Sequence, residues 1–289
     1  PLEGFDMMKR AGFSCCDFSL DSYFTDLSFS SPETNVFFRK SVQELKDFFA
    51  PHKEAAEIAG IKINQMCMQY PVCIPNMAME IAEYLMHTVA SKSMEICAFF
   101  GCSYLVMSGF DASWGIGRDE VAWEWTEKLI ESLAPMAKEL EIAMCIENSC
   151  KDSCCDVEKL LMYIDCMNER YNAEILGFCF NTGHAKLSGI DFEDMITKLG
   201  NRLKVFHIHD NDGNRNLHQI PFTLAGDGQN VLPTDWEGFI RGLRRIHFDK
   251  VLSFETASVL SSFPEKMKQD VLRLVAQIGD YFMGEIRHS

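Results

Sequence analysis

The sequence has no apolar run approaching the ~20 residues that a bilayer-crossing helix needs, and no basic-then-apolar leader opens it. It is also poor in positive charge. Lys and Arg number 27 against 42 Asp and Glu, a formal net charge of −15 over 289 residues. A surface that grips phosphate backbones or anionic lipid has to be basic, so neither a nucleic-acid nor a membrane partner is expected. No linker, low-complexity tract or composition break divides the chain, and one domain over 1–289 is the expectation. Cysteine, by contrast, is plentiful: twelve residues, several in apolar runs such as Cys67, Cys145 and Cys179. Cys150, Cys154 and Cys155 have no second ligand pair at zinc-knuckle spacing. Reduced thiols in a cytoplasmic protein are the expectation.

Apolar runs of strand length alternate with stretches of helical period along the whole chain. The strand candidates are Cys15–Leu20, Ile61–Met68, Ser103–Ser108, Ile142–Glu147, Leu176–Asn181, Leu203–Asp210 and Val251–Thr256. Each is nearly uncharged until its last residues, as strands buried on both faces of a parallel sheet are. Amphipathic stretches lie between them, among them Leu2–Ala11, Val42–Ala59, Ala78–Phe99, Glu120–Leu140, Val157–Arg170 and Trp236–Ile246. The alternation predicts an α/β fold, a (β/α)8 TIM barrel whose first strand is absent from the seven and would precede Pro1.

Catalytic groups of such barrels sit where strands run into βα loops. Here four consecutive strands end in polar residues: Glu147-Asn148, Asn181-Thr182-Gly183-His184, His207 to Asp212, and Glu255-Thr256. Charged and imidazole groups at the ends of buried strands are costly unless paired or bound to a cation, so one shared polar centre is expected.

The segments "CIENS" around Glu147, "FNTGH" ending at His184, "HIHDND" from His207, "NLHQIPFTLAGDG" from Asn216, with Trp236 beyond, and "LSFET" around Glu255 give the chain a resemblance to a known family. In order and rough spacing it resembles the xylose-isomerase-like superfamily of ketose 3-epimerases, inosose and dehydroshikimate dehydratases and apurinic-site endonucleases. The resemblance implies one divalent metal (Mn, Mg, Co or Zn) at positions that fall on Glu147, Asn181, His209 and Glu255. It implies Glu147 and Glu255 as the proton-transferring carboxylates, with His184 and Arg215 contacting substrate. Chelation by a divalent ion acidifies the C–H between a hydroxyl and a carbonyl, and carboxylates on opposite faces can remove and return the proton.

The departures matter as much. The family's aspartate is Asn181 here, an amide that adds no charge, so metal binding is expected to weaken about tenfold, about 1.4 kcal/mol. Cys67, Ser108 and Asn216 stand where the multi-metal branch has ligands, which argues against DNA repair. Asp212 and His218 remain candidates that could equally satisfy a long loop. His207 is expected to pack against a helix, and Trp114 to cover the mouth from a glycine-rich loop.

The leading expectation is a metal-dependent isomerase or epimerase of a small sugar, polyol or related keto compound, acting through an enediolate. A dehydratase of an inosose- or shikimate-like substrate is the enzymatic alternative. A catalytically reduced sugar-binding barrel is the alternative that Asn181, Cys67 and Ser108 keep open. The partner in each case is a small molecule, and a homo-oligomer is compatible with all three.

Overall fold

The computed structural model describes residues 1–20, 23, 37–68, 79–110, 119–149, 154, 156–224 and 233–287. Six parallel strands form one sheet in sequence order: β1 (Cys15–Ser19), β2 (Lys62–Cys67), β3 (Tyr104–Met107), β4 (Ala143–Glu147), β5 (Leu176–Asn181) and β6 (Leu203–His207). The described helices are α1 (Leu2–Ala11), α2 (Val42–Ala59), α3 (Met79–Phe100), α4 (Asp119–Glu139), α5 (Val157–Tyr171), α6 (Thr182–Leu187), α7 (Phe192–Leu199), α8 (Trp236–Arg245), α9 (Ala257–Ser261) and α10 (Glu265–Arg287), with a short 3-10 turn at Gly200–Arg202. Neighbouring helices pack in an outer layer, α1 on both α2 and α10, α2 on α3, α3 on α4, α7 on α8 and α8 on α10.

Local signals set several boundaries. Ser41 and Glu44 cap α2 reciprocally, Ser41 Oγ accepting from the Glu44 N–H at 3.2 Å and Glu44 from the Ser41 N–H at 2.7 Å. Such a cap contributes about 1 kcal/mol. Asp156, Asp191 and Asp235 cap α5, α7 and α8 in the same sense.

Alternation along each strand sorts side chains into two cores. Facing outward, the large apolar residues pack under the helices; Trp236 belongs there, buried against Phe192, Phe239 and Phe282. Facing inward are Val106, Ala143, Cys145, Cys179 and Val205, a separate small cluster. Small residues inside are what a tightly curled wall requires. The inward series continues toward the strand ends as Glu147, Asn181 and His207, so the interior turns from apolar to polar at the C-terminal mouth.

The seventh expected strand is reduced. Residues 251–256 run parallel beside β6 but make only a single bridge, Ile208 to Phe254, with Ile208 N–H donating to Ser253 O at 2.8 Å and Glu255 N–H to Ile208 O at 2.9 Å. Among the described residues no backbone hydrogen bond joins 251–254 to β1. A cavity of about 500 Å³ opens in that gap, lined by Cys15, Asp17, Leu252 and Phe254, with Met8 and Val275 behind it. It stands where the first strand of a closed eight-stranded wall would lie. The described cysteines are free thiols, and no described helix is long and apolar enough to cross a membrane.

Candidate active site at the C-terminal mouth

Each polar strand end has a physical role that can be read residue by residue. Asn148, just beyond β4, clamps the end of β5: its Oδ1 accepts from the Asn181 N–H at 2.7 Å and its Nδ2 donates to Asn181 O at 3.0 Å. Thr182 clamps the backbone of His209, donating to its carbonyl at 2.7 Å and accepting from its N–H at 3.0 Å. Gly183 lies under the His209 ring, and a Cβ there would stand 1.8 Å from His209 Cε1. His184 Nδ1 donates to Asn148 O at 2.9 Å. The carbonyl can only accept, so the proton of a neutral His184 sits on Nδ1 and its Nε2 carries the lone pair.

Gly183→Ala is therefore expected to destabilise the protein by about 1–3 kcal/mol through overpacking. Glycine-to-alanine within an ordinary helix would stabilise by up to about 1 kcal/mol. Thermal unfolding of the two proteins distinguishes the signs.

A single hydrogen-bonded network crosses the interior. Ser253 Oγ donates to Gln65 Oε1 at 2.7 Å, and Gln65 Nε2 donates to Asp17 Oδ2 at 2.9 Å and to Phe206 O at 3.0 Å. His207 Nε2 donates to the same Asp17 oxygen at 3.0 Å, while its Nδ1 donates to Glu147 Oε1. Asn181 Nδ2 then donates to Glu147 Oε1 at 2.9 Å and to Glu255 Oε2 at 3.3 Å. Beyond Glu255 lie two imidazoles, His209 Nε2 at 3.7 Å and His218 Nδ1 at 3.5 Å from the same oxygen. The two rings stack at 4.2 Å with an interplanar angle of 12°.

Electrostatics follow from this arrangement. Burial alone would raise the Glu147 carboxyl, but the charge and hydrogen bond of His207 outweigh it and bring the pKa down to about 2. For His207 burial opposes the charged form, yet Cys179, Glu147 and the Asp17 hydrogen bond hold it well above the ordinary histidine value. His209 goes the other way. Burial, with His218 and His184 nearby, pushes its pKa down to about 3, so near neutrality it is an uncharged imidazole. It is 0% exposed, and neither ring nitrogen has a hydrogen-bond partner.

The structure thus brings Glu147, Asn181, Glu255, His209 and His218 together, with His184 adjoining through Asn216, whose Nδ2 lies 3.3 Å from His184 Nε2 and 3.0 Å from His218 Nε2. Asn181 does not face the centre as a ligand. Its Oδ1 accepts from the His184 N–H at 2.9 Å, so its amino group points at the carboxylates. His207 faces inward, contrary to expectation, because residues two apart on an extended strand share a face and His209 faces the same way. Arg215 is not at the centre. Its side chain is 73% exposed and ion-paired with Asp212 at 2.7 Å. Asp212 is taken up by the same turn, accepting from the Asn214 and Arg215 N–H groups. Trp114 lies outside the described residues.

From sequence Asn148 is singled out only as a polar strand end, and Asp17 and Gln65 are not singled out at all. Asp17 did leave a signal, as the one charge inside the apolar run "CCDFS".

Comparison with known proteins gives the fold independently. A family model described as xylose isomerase-like TIM barrel matches residues 6–277. A crystal structure of D-psicose 3-epimerase in the presence of D-fructose superposes with a TM-score of 0.66 at 12% identity, over 98% of this chain and 93% of that one. D-allulose 3-epimerase from Methylomonas sp. in complex with D-allulose gives 0.64 at 13% identity, over 99% and 92%. The IolI protein with a bound zinc atom gives 0.60 at 15% identity, over 97% and 90%. At these identities the likeness concerns the fold. By sequence, an uncharacterized protein of Sinorhizobium fredii, y4fM, is 31% identical over 87 residues, 30% of this chain. The matched stretch spans a quarter of that relative's length.

Proposed function

Because the chain belongs to the xylose isomerase-like TIM barrel family, we propose that it is a divalent-metal-dependent isomerase or epimerase of a small sugar, polyol or related keto compound. The observation that carries this reading is the convergence at the mouth of Glu255, His209 and Asn181, with the fully buried His209 ring lacking any partner for either nitrogen. A buried imidazole left unsatisfied costs about 1–3 kcal/mol unless a ligand completes it. The sugars named with the D-psicose and D-allulose 3-epimerases point to the same substrate class.

The donors present fit a divalent ion at His209 and Glu255, but not with Asn181 as a ligand. When bound there, a divalent ion lowers the pKa of a C–H beside a polarised carbonyl. Glu255, at the open side of the network, takes that proton and returns it to the neighbouring carbon, the one-base transfer of an isomerase; inversion at the same carbon would need a second acid on the opposite face. Asn181 orients Glu255 through its amino group, and His184, its lone pair on Nε2, stands beside the mouth to hydrogen-bond a substrate hydroxyl. Glu147, tied to His207, keeps the wall behind Asn181 anionic.

The test is a panel of ketoses and inososes incubated in D2O with Mn²⁺, Co²⁺, Zn²⁺ or Mg²⁺. Deuterium is expected at the carbon next to the carbonyl, in a product otherwise unchanged in mass. Loss of one water would mark a dehydratase. Saturable sugar binding with neither exchange nor water loss would mark a reduced, sugar-binding barrel and sink the proposal.

A further inference from the structure

We propose that His218 is a positioning residue of the ion site: its ring, laid flat on His209, fixes the orientation of that ligand without binding the ion itself. This rests on the metal-dependent reading above, and it leaves His209 as the one imidazole that meets the ion.

The tautomers along the mouth follow from one another. His184 keeps its lone pair on Nε2, because its Nδ1 donates to Asn148 O. The Asn216 amide therefore turns its amino group to His184, with Nδ2 3.3 Å from that nitrogen. The same Nδ2 lies 3.0 Å from His218 Nε2, so that nitrogen accepts as well. The proton of a neutral His218 then sits on Nδ1, which faces Glu255 Oε2 at 3.5 Å. Neither nitrogen of His218 keeps a free lone pair for a cation. The ring planes exclude shared ligation independently. They lie 12° from parallel with centroids 4.2 Å apart, so the in-plane lone pairs of the two imidazoles cannot meet on one ion.

His209 has the opposite character. It is 0% exposed, and both its nitrogens are unpartnered. A histidine that binds a metal through one nitrogen is normally oriented by a hydrogen bond at the other. Among the described residues no group supplies that bond, and packing holds the ring instead. Thr182 clamps the backbone, Gly183 closes off the Cε1 end of the ring, and His218 covers a face. The fold of the loop sets His218 there. Asp210 and Gln219, the residues that follow the two histidines, exchange backbone hydrogen bonds at 2.7 and 2.9 Å. His218 itself has φ 50°, a left-handed backbone that histidine adopts more readily than most side chains.

The experiment titrates Co²⁺ and Zn²⁺ into the purified full chain by calorimetry, without substrate, and reads the ligands of bound Zn²⁺ by X-ray absorption. The native protein is expected to show one imidazole ligand. His218→Ala is expected to lose about 10–100-fold in affinity, as changing the outer partner of a ligand does, and His218→Phe, which keeps a flat ring on His209, less than about tenfold. The one-imidazole spectrum is expected unchanged in His218→Phe. Phenylalanine already takes a left-handed backbone nearby, at Phe222 with φ 68°; His218→Tyr serves where His218→Phe fails to fold. A second imidazole in the native spectrum, native affinity in His218→Ala, or equal losses in His218→Ala and His218→Phe overturns the positioning role and leaves the metal-dependent isomerase reading standing. No Co²⁺ or Zn²⁺ binding by the native protein overturns both.

Discussion

His207→Ala is expected to destabilise the protein by about 3–5 kcal/mol, the cost of removing one partner from a buried ion pair. The reason lies in what is left behind. His207 is the hydrogen-bond partner shared by Asp17 on β1 and Glu147 on β4, and both carboxylates lie in the interior among small apolar residues. Without the imidazole, Glu147 loses its cationic partner and Asp17 loses a hydrogen-bond donor. Urea unfolding at pH 6 should show the loss as a lowered midpoint with an unchanged m-value. The pH profile follows from the same pair. Glu147 is depressed from 4.5 to about 2, so its contribution is present above about 4.5 and lost as pH falls toward 2. His207 is raised, so its contribution is complete below its ordinary 6.5 and is lost as pH rises through the higher folded value. The native protein should therefore gain its full stabilisation from this pair between about pH 4.5 and 6.5, and the variant should lose both limbs. A loss of unfolding free energy under about 1 kcal/mol, with both limbs retained, would show that other groups hold Asp17 and Glu147.

How far the sequence carried this reading varies by element. The boundaries of α1, α2 and β5 coincide with the stretches read from hydrophobic period. Long periodic segments and uncharged runs speak for themselves because local propensity and tertiary packing agree there. The seventh strand was overstated. "VLSFET" has strand composition, but among the described residues it makes a single bridge to the segment after β6 and no ladder. The strand-end residues Glu147, Asn181 and Glu255 were legible as a group because charge at the end of a buried strand is rare. Which of them face each other was not, since composition says nothing about which way an amide is turned. That depended on one backbone donor, the His184 N–H. Arg215 shows the opposite failure. Six residues beyond His209 it matches a substrate-contacting position by spacing, yet an Asp at i−3 captures it in its own turn.

The largest kinetic effect is expected at Glu255. An effective general base needs a conjugate acid whose pKa is not far from the working pH. Glu147 fails that requirement, because His207 holds it at about 2 and both donors that fix it converge on one oxygen. Glu255 sits at the open end of the network, its side chain 40% exposed, within reach of the Asn181 amino group and the two stacked imidazoles. Glu255→Gln keeps size and hydrogen bonding but removes the basic oxygen. Turnover, read as solvent-deuterium exchange into the ketose found active, should fall by about 10²–10⁴-fold, the usual contribution of a positioned base. Because Glu255 also faces the proposed ion, exchange has to be compared at spectroscopically verified Co²⁺ saturation, so that a drop reports proton transfer and not an empty site. Glu147→Gln under the same conditions should cost mainly stability. If exchange survives in Glu255→Gln and collapses in Glu147→Gln, the proton passes through Glu147. His207 would then have to release that carboxylate when substrate binds, and the Glu147→Gln protein would lose the acid limb of the stability profile together with the activity.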